Sequence, residues 1–106
     1  MEEIEYMASL TDRDRDRLDA AVMRRLIAHL DANKDVQNID LMILAGFCRN
    51  CLSKWYAAAA DEHGVNISGE EARERIYGMP YEQWKTQHQR PATPEQLAAM
   101  ESRKKD

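Results

Sequence analysis

Residues 39–62 read IDLMILAGFCRNCLSKWYAAAADE, and this segment decides the fold class. Leu41, Leu44, Cys48, Leu52, Trp55, Tyr56 and Ala59 recur at helical spacings on one face, and the opening IDLMILAGF is apolar almost all round. The pattern predicts a central helix over 38–63, with Asn38 as its N-cap, Gly64 as its stop, and Leu44 and Trp55 in the core. Gly46 is the weak point in that reading. A glycine inside a helix lowers its stability by about 1 kcal/mol relative to alanine, and marks a close crossing, a kink or an interruption.

Working outward, Leu18, Val22, Leu26 and Leu30 recur every four residues and predict an amphipathic helix over 11–30. Its first turns alternate Asp12, Arg13, Asp14, Arg15, Asp16 and Arg17, which pair at i and i+3 or i+4 as a solvated face. Residues 1–10 lack strong periodicity and read as an N-terminal arm. On the other side, Ser68 with Glu71 forms a capping box that opens a helix over 68–77, closed by Gly78. Pro80 suits the first position of a helix over 80–88, and Thr93, Pro94 and Gln96 open another over 94–104. The expected architecture is therefore all-α: a compact multihelical single domain of about five helices spanning 1–106.

Composition bounds what such a domain does. The chain has 106 residues, 43% hydrophobic and 32% charged, and a net charge of −4. A chain of this size buries roughly two-thirds of its unfolded surface and needs no disulfide staple. The acidic balance argues against nucleic acid, whose binders present a basic face. No apolar run approaches the ~20 residues of a membrane-spanning helix, and MEEIEYMASL carries acids where a secretory leader carries positive charge. The expected compartment is the cytoplasm, where two cysteines stay reduced unless a metal or redox site holds them.

The segment DVQNIDLMILAGFCRNCLSKWY, followed by AAAADEHGV and EARERIYGMPYEQWK, closely resembles the bacterial domain of unknown function family 1244, over about Leu26 to Gln87. The resemblance implies a small multihelical fold and no assigned activity.

The candidate sites rest on the residues themselves. Cys48 and Cys51, one helical turn apart, project to nearly the same side and supply half of a tetrahedral zinc shell. His29, His63 and His88 stand in no short ligand motif, so a zinc site needs a second copy's cysteines. The same pair suits thiol redox chemistry if Gly46 breaks the helix and Cys48 starts a new one beside Arg49. Packing as small buried hydrophobes is the third reading. Arg49 and Lys54 are candidates to receive a small acidic ligand or a carboxylate on a partner protein. Tyr77, Tyr81 and Trp84 either line a pocket or a groove for a partner helix or complete the core. The function expected is a small interaction or ligand-binding module with no catalytic signature, the alternative being a metal-binding or thiol redox protein centred on Cys48 and Cys51. Two tryptophans, four tyrosines and six methionines in so short a chain also point to a homodimer, through the arm around Ile4 to Leu10 or the IYGMPYEQW surface.

Overall fold

The computed structural model describes residues 9–105, so the expected arm over 1–10 falls, apart from Ser9 and Leu10, outside the described residues. Among them the chain forms six helices and no strand: α1 (Asp12–Asp31), α2 (Asn38–Ala45), α3 (Arg49–Glu62), α4 (Gly69–Tyr77), α5 (Tyr81–His88) and α6 (Pro94–Lys105). α3 packs along α4, α5 folds back on α4, α1 crosses α4, and α2 pairs with α6.

The single central helix expected over 38–63 is two helices, which raises the total from five to six. Gly46 adopts φ 76°, a left-handed conformation that ends α2 while its N–H donates to the Met42 carbonyl. Phe47 follows, and Cys48 becomes the extended N-cap of α3. The N-cap of α2 is Gln37, one residue before the expected Asn38; its N–H donates to the Asp40 carboxylate at 3.1 Å.

Other start signals act as the sequence predicts. Ser68 Oγ accepts from Glu71 N–H, and the Glu71 carboxylate accepts from Ser68 N–H. Thr93 and Gln96 repeat that exchange at the start of α6. Gly78 closes α4 at φ 74°. Pro80 stands as the N-cap of α5 rather than at its first position.

Breaking the central helix rotates its apolar residues out of one shared face, and the core shifts accordingly. Leu44 is 79% exposed and Trp55 57% exposed, so neither is the core residue that helical spacing predicts. Trp55 instead stacks on Phe47 at the corner, with 6.0 Å between ring centroids. The buried cluster comprises Ile27 and Leu30 of α1, Leu52 of α3, Ile76 and Tyr77 of α4, and Trp84 of α5, itself 2% exposed. Trp84 is thus the aromatic whose loss empties a core site, a change that typically destabilises by ~3–5 kcal/mol.

The molecule is also less compact than expected. Its radius of gyration is 16.9 Å, against about 13 Å for a compact chain of this length. The buried residues of α1 are Ile27 and Leu30, both in its C-terminal half, so its N-terminal half runs on beyond the core.

Gly46→Ala separates the two versions of the central segment by the sign of its effect. A left-handed φ disfavours a Cβ by roughly 1–2 kcal/mol, whereas the same change inside a continuous helix would stabilise by about 1 kcal/mol. Chemical denaturation is expected to show a loss, because the Cβ would meet only the flexible end of Arg103, at 2.7 Å from Nη2, leaving backbone strain as the main effect.

Candidate functional site

The corner at Gly46 delivers Arg49 to the interior. Arg49 is 2% exposed, and its guanidinium donates to the carbonyl oxygens of Val36 (2.7 Å), Asn33 (3.0 Å) and Leu30 (3.5 Å) and to Asn38 Oδ1 (3.1 Å). The Trp84 ring covers it, with the centroid 5.0 Å from Arg49 Cζ. Burial pushes the Arg49 pKa below its ordinary value, while Tyr77, Cys48, Asp31 and Asp35 pull the other way. Its hydrogen-bond partners are neutral oxygens rather than carboxylates. The negative ends of the carbonyl dipoles closing α1 and its turn therefore balance this charge.

From Arg49 a chain of hydrogen bonds leads outward. Asn38 Oδ1 accepts from the Arg49 guanidinium and from its backbone N–H, and Asn38 Nδ2 donates to the Tyr77 hydroxyl at 3.0 Å. Tyr77 donates its own hydrogen to Asn50 Oδ1 at 2.7 Å, and Asn50 Nδ2 donates to the Tyr81 hydroxyl at 3.5 Å. Each link fixes the direction of the next. Tyr81 is left with its hydroxyl hydrogen free to donate away from the core.

Tyr81 borders a cleft of about 240 Å³ between α3, α4 and the start of α5, lined also by Asn50, Ser53, Lys54, Ala57, Gly69 and Arg73. The Arg73 guanidinium lies over the Tyr81 ring, with Cζ 5.5 Å from the centroid. Among the described residues, neither Arg73 nor Lys54 has a carboxylate oxygen within ion-pair distance. Arg73 Nε is buried without a protein hydrogen-bond partner. A second depression of about 300 Å³ shares Arg73 and Tyr81 with the cleft and carries Glu70, Glu74 and Glu82, so Arg73 stands between the cleft and a cluster of acids.

Of the five residues expected at a binding surface, Lys54 and Tyr81 line this cleft. Arg49, Tyr77 and Trp84 do not: all three are buried. Arg49 and Tyr77 hold its floor through the hydrogen-bond chain, and Trp84 packs at 4.8 Å against Tyr77. Arg73 carries no signal in sequence, since EEARER reads as an ordinary charged helix face. Cys48 is buried at the N-cap of α3 and Cys51 half-buried one turn later, both as free thiols. Among the described residues, no three His, Cys, Asp or Glu side chains gather in an arrangement able to hold a metal.

Residues 36–102 match the model of a family described as protein of unknown function, DUF1244. The chain belongs to this family. The match runs further toward the C-terminus than the motif resemblance and takes in every residue lining the cleft, while α1 lies outside it. No curated protein shows significant similarity to the chain. DUF1244 membership thus carries the fold segment and leaves its chemistry to be read from the site.

Tyr77 gives the buried network a pH signature. Burial raises its pKa well above the ordinary value of 10, the Asn38 hydrogen bond opposing the shift and neighbouring Tyr81 adding to it. A phenol whose folded pKa exceeds its unfolded one contributes stability that is fully present below pH 10 and is lost as pH rises toward the folded pKa. Denaturation midpoints should therefore fall above pH 10 in the wild type. Tyr77→Phe should lower stability at neutral pH and flatten that alkaline decline.

Proposed function

We propose that this DUF1244 protein is a small cytoplasmic binding module that captures an acidic group in the cleft between α3 and α4. One observation carries the reading: Lys54 and Arg73, two cations without a carboxylate within ion-pair distance among the described residues, share a cleft with a tyrosine oriented to donate. Charge-assisted hydrogen bonds to an anion are roughly twice as strong as neutral ones. The cleft volume, below the ~300–1,000 Å³ of common ligand sites, suits a small carboxylate or phosphate, or the acidic end of a partner chain. No helix among the described residues is long and apolar enough to cross a membrane, in keeping with a module that acts in solution. Self-association as a homodimer belongs to the same proposal, supported by the exposed apolar residues Leu18, Val22, Leu44 and Trp55.

The test is titration of isotopically labelled protein with inorganic phosphate and, separately, succinate. Saturable shifts are expected at the amides of Asn50, Ser53, Arg73 and Tyr81. Lys54→Met should weaken binding about tenfold, in line with the ~1.5–3 kcal/mol of a hydrogen bond to a charged group. Shifts that never saturate, or that survive Lys54→Met combined with Arg73→Met, would refute the reading. A peptide ending in a free carboxylate that binds more tightly than succinate would identify the acid as protein-borne.

A second reading is favoured by the corner at Gly46. It places Cys48 at a helix N-terminus with Cys51 one turn on, the placement that disulfide-exchanging CxxC pairs use. In this alternative the two thiols close to a disulfide while a partner disulfide takes up the two electrons and two protons. Thiol counting after equilibration across a glutathione redox buffer decides it. Loss of both thiols together supports the exchange, and two thiols that persist under oxidising conditions leave Cys48 and Cys51 as packing residues.

A further inference from the structure

Deepening the acid-capture reading, on which it rests, we infer that Asn50 is the positioning residue of the cleft. It holds the Tyr81 hydroxyl as a donor, in a direction dictated by the buried Arg49, and so suits the cleft to an acid in its ionised form. Of the polar side chains that line the cleft, Asn50 spends its amide on Tyr77 and Tyr81, and Ser53 gives its hydroxyl hydrogen to the Arg49 carbonyl at 3.0 Å. Lys54, Arg73 and Tyr81 remain, one from each of α3, α4 and α5. Lysine and arginine are donors with no acceptor atom, whereas a tyrosine hydroxyl plays either part. The direction of Tyr81 therefore decides whether a third donor joins the two cations. When it does, a ligand group meets hydrogens at all three contacts, and an acid that has kept its own proton is disfavoured.

That direction is set at the far end of the hydrogen-bond chain. A guanidinium only donates, so the Asn38 atom that meets Arg49 is its oxygen, at 3.1 Å from Nη1 and 3.3 Å from the Arg49 backbone nitrogen. Asn38 Nδ2 is thereby turned to Tyr77, whose single hydrogen goes to Asn50 Oδ1. Asn50 Nδ2 is left to face Tyr81, at 3.5 Å. This last contact is the longest between side chains in the chain, yet its sense is fixed: an N–H group faces the hydroxyl oxygen, so the Tyr81 hydrogen leaves in another direction. A carboxylate in place of either asparagine reverses that sense. With Asn38→Asp both side-chain oxygens accept, so Tyr77 turns its hydrogen to one of them, the Asn50 amide swings round to donate to Tyr77, and its oxygen draws in the Tyr81 hydrogen. The new charge lies against Arg49, in the first turn of α2 where an acid is favoured. With Asn50→Asp the carboxylate accepts from both tyrosines, and only the last link reverses.

Titration with inorganic phosphate tests the assignment in the wild type, in Asn38→Asp and in Asn50→Asp, each with and without Tyr81→Phe. In the wild type, Tyr81→Phe is expected to weaken binding about tenfold, as the loss of a hydrogen bond to a charged group does. In either substituted background, the same Tyr81→Phe is expected to change affinity by less than about twofold, the margin within which independent sites add, because the hydroxyl hydrogen no longer faces the ligand. Comparing within one background cancels the charge that each carboxylate adds. A loss of about tenfold in all three backgrounds overturns the positioning role of Asn50, and so does a Tyr81→Phe without effect in the wild type; acid capture then stands on Lys54 and Arg73. Wild-type shifts that never saturate overturn acid capture itself, and this inference with it. Circular dichroism checks each variant, and Asn50→Asp, which keeps an acceptor for Tyr77, decides the matter alone if Asn38→Asp loses helix.

Discussion

A buried guanidinium organises this molecule. Arg49, at the start of α3, reaches the end of α1, the turn after it and the start of α2 through four acceptors, and it does so with Trp84 of α5 laid across its face. The Leu30 and Asn33 carbonyls also accept from the backbone N–H groups of Asn33 and Val36, at 3.0 and 3.1 Å, and Arg49 adds a charged donor to each. The cation in turn loses hydration that only this ring of oxygens replaces. The arrangement is mutually enforcing: the turn holds its shape because Arg49 fills it, and Arg49 remains charged in the interior because the turn surrounds it. A lysine, with a compact ammonium in place of a planar fork, lacks the geometry to reach the same set.

This arrangement depends on the corner at Gly46. In an unbroken helix, Arg49 would follow the apolar face of α2 by a fixed rotation and would share no side with the carbonyls of 30–36. The left-handed glycine resets that rotation. It also brings Cys48 to an N-cap and moves Leu44 and Trp55 to the surface, so one backbone conformation explains both the buried cation and these two exposed apolar side chains.

The helices were legible in the sequence because their boundaries are written in local chemistry. Ser68 with Glu71, Thr93 with Gln96, and Gly78 each act within four residues, and the structure repeats them. The centre was misread for the opposite reason. Periodicity through residues 39–62 is nearly as consistent with one helix as with two, and Gly46 marks a crossing, a kink or an interruption without saying which until its φ is known. Arg49 reads as a surface cation waiting for an acid because three of its four partners are main-chain oxygens, which leave no mark in a sequence. The cleft was legible in part: Lys54 and Tyr81 were singled out, whereas Arg73 joins them from another helix, a juxtaposition that no spacing rule contains.

Two surfaces result, and they sit on different parts of the chain. The cleft is built from α3, α4 and α5, inside the segment matched to the family, with its floor tied to Arg49 through Asn38, Tyr77 and Asn50. The exposed Leu18 and Val22 of α1 lie outside that segment, on a helix that meets the rest of the molecule mainly through α4 and the Arg49 turn. A change at Leu18 or Val22 therefore leaves the hydrogen-bond chain intact, whereas a change at Arg49 disturbs both the cleft floor and the anchoring of α1. The buried guanidinium is the element that the cleft floor and the anchoring of α1 share.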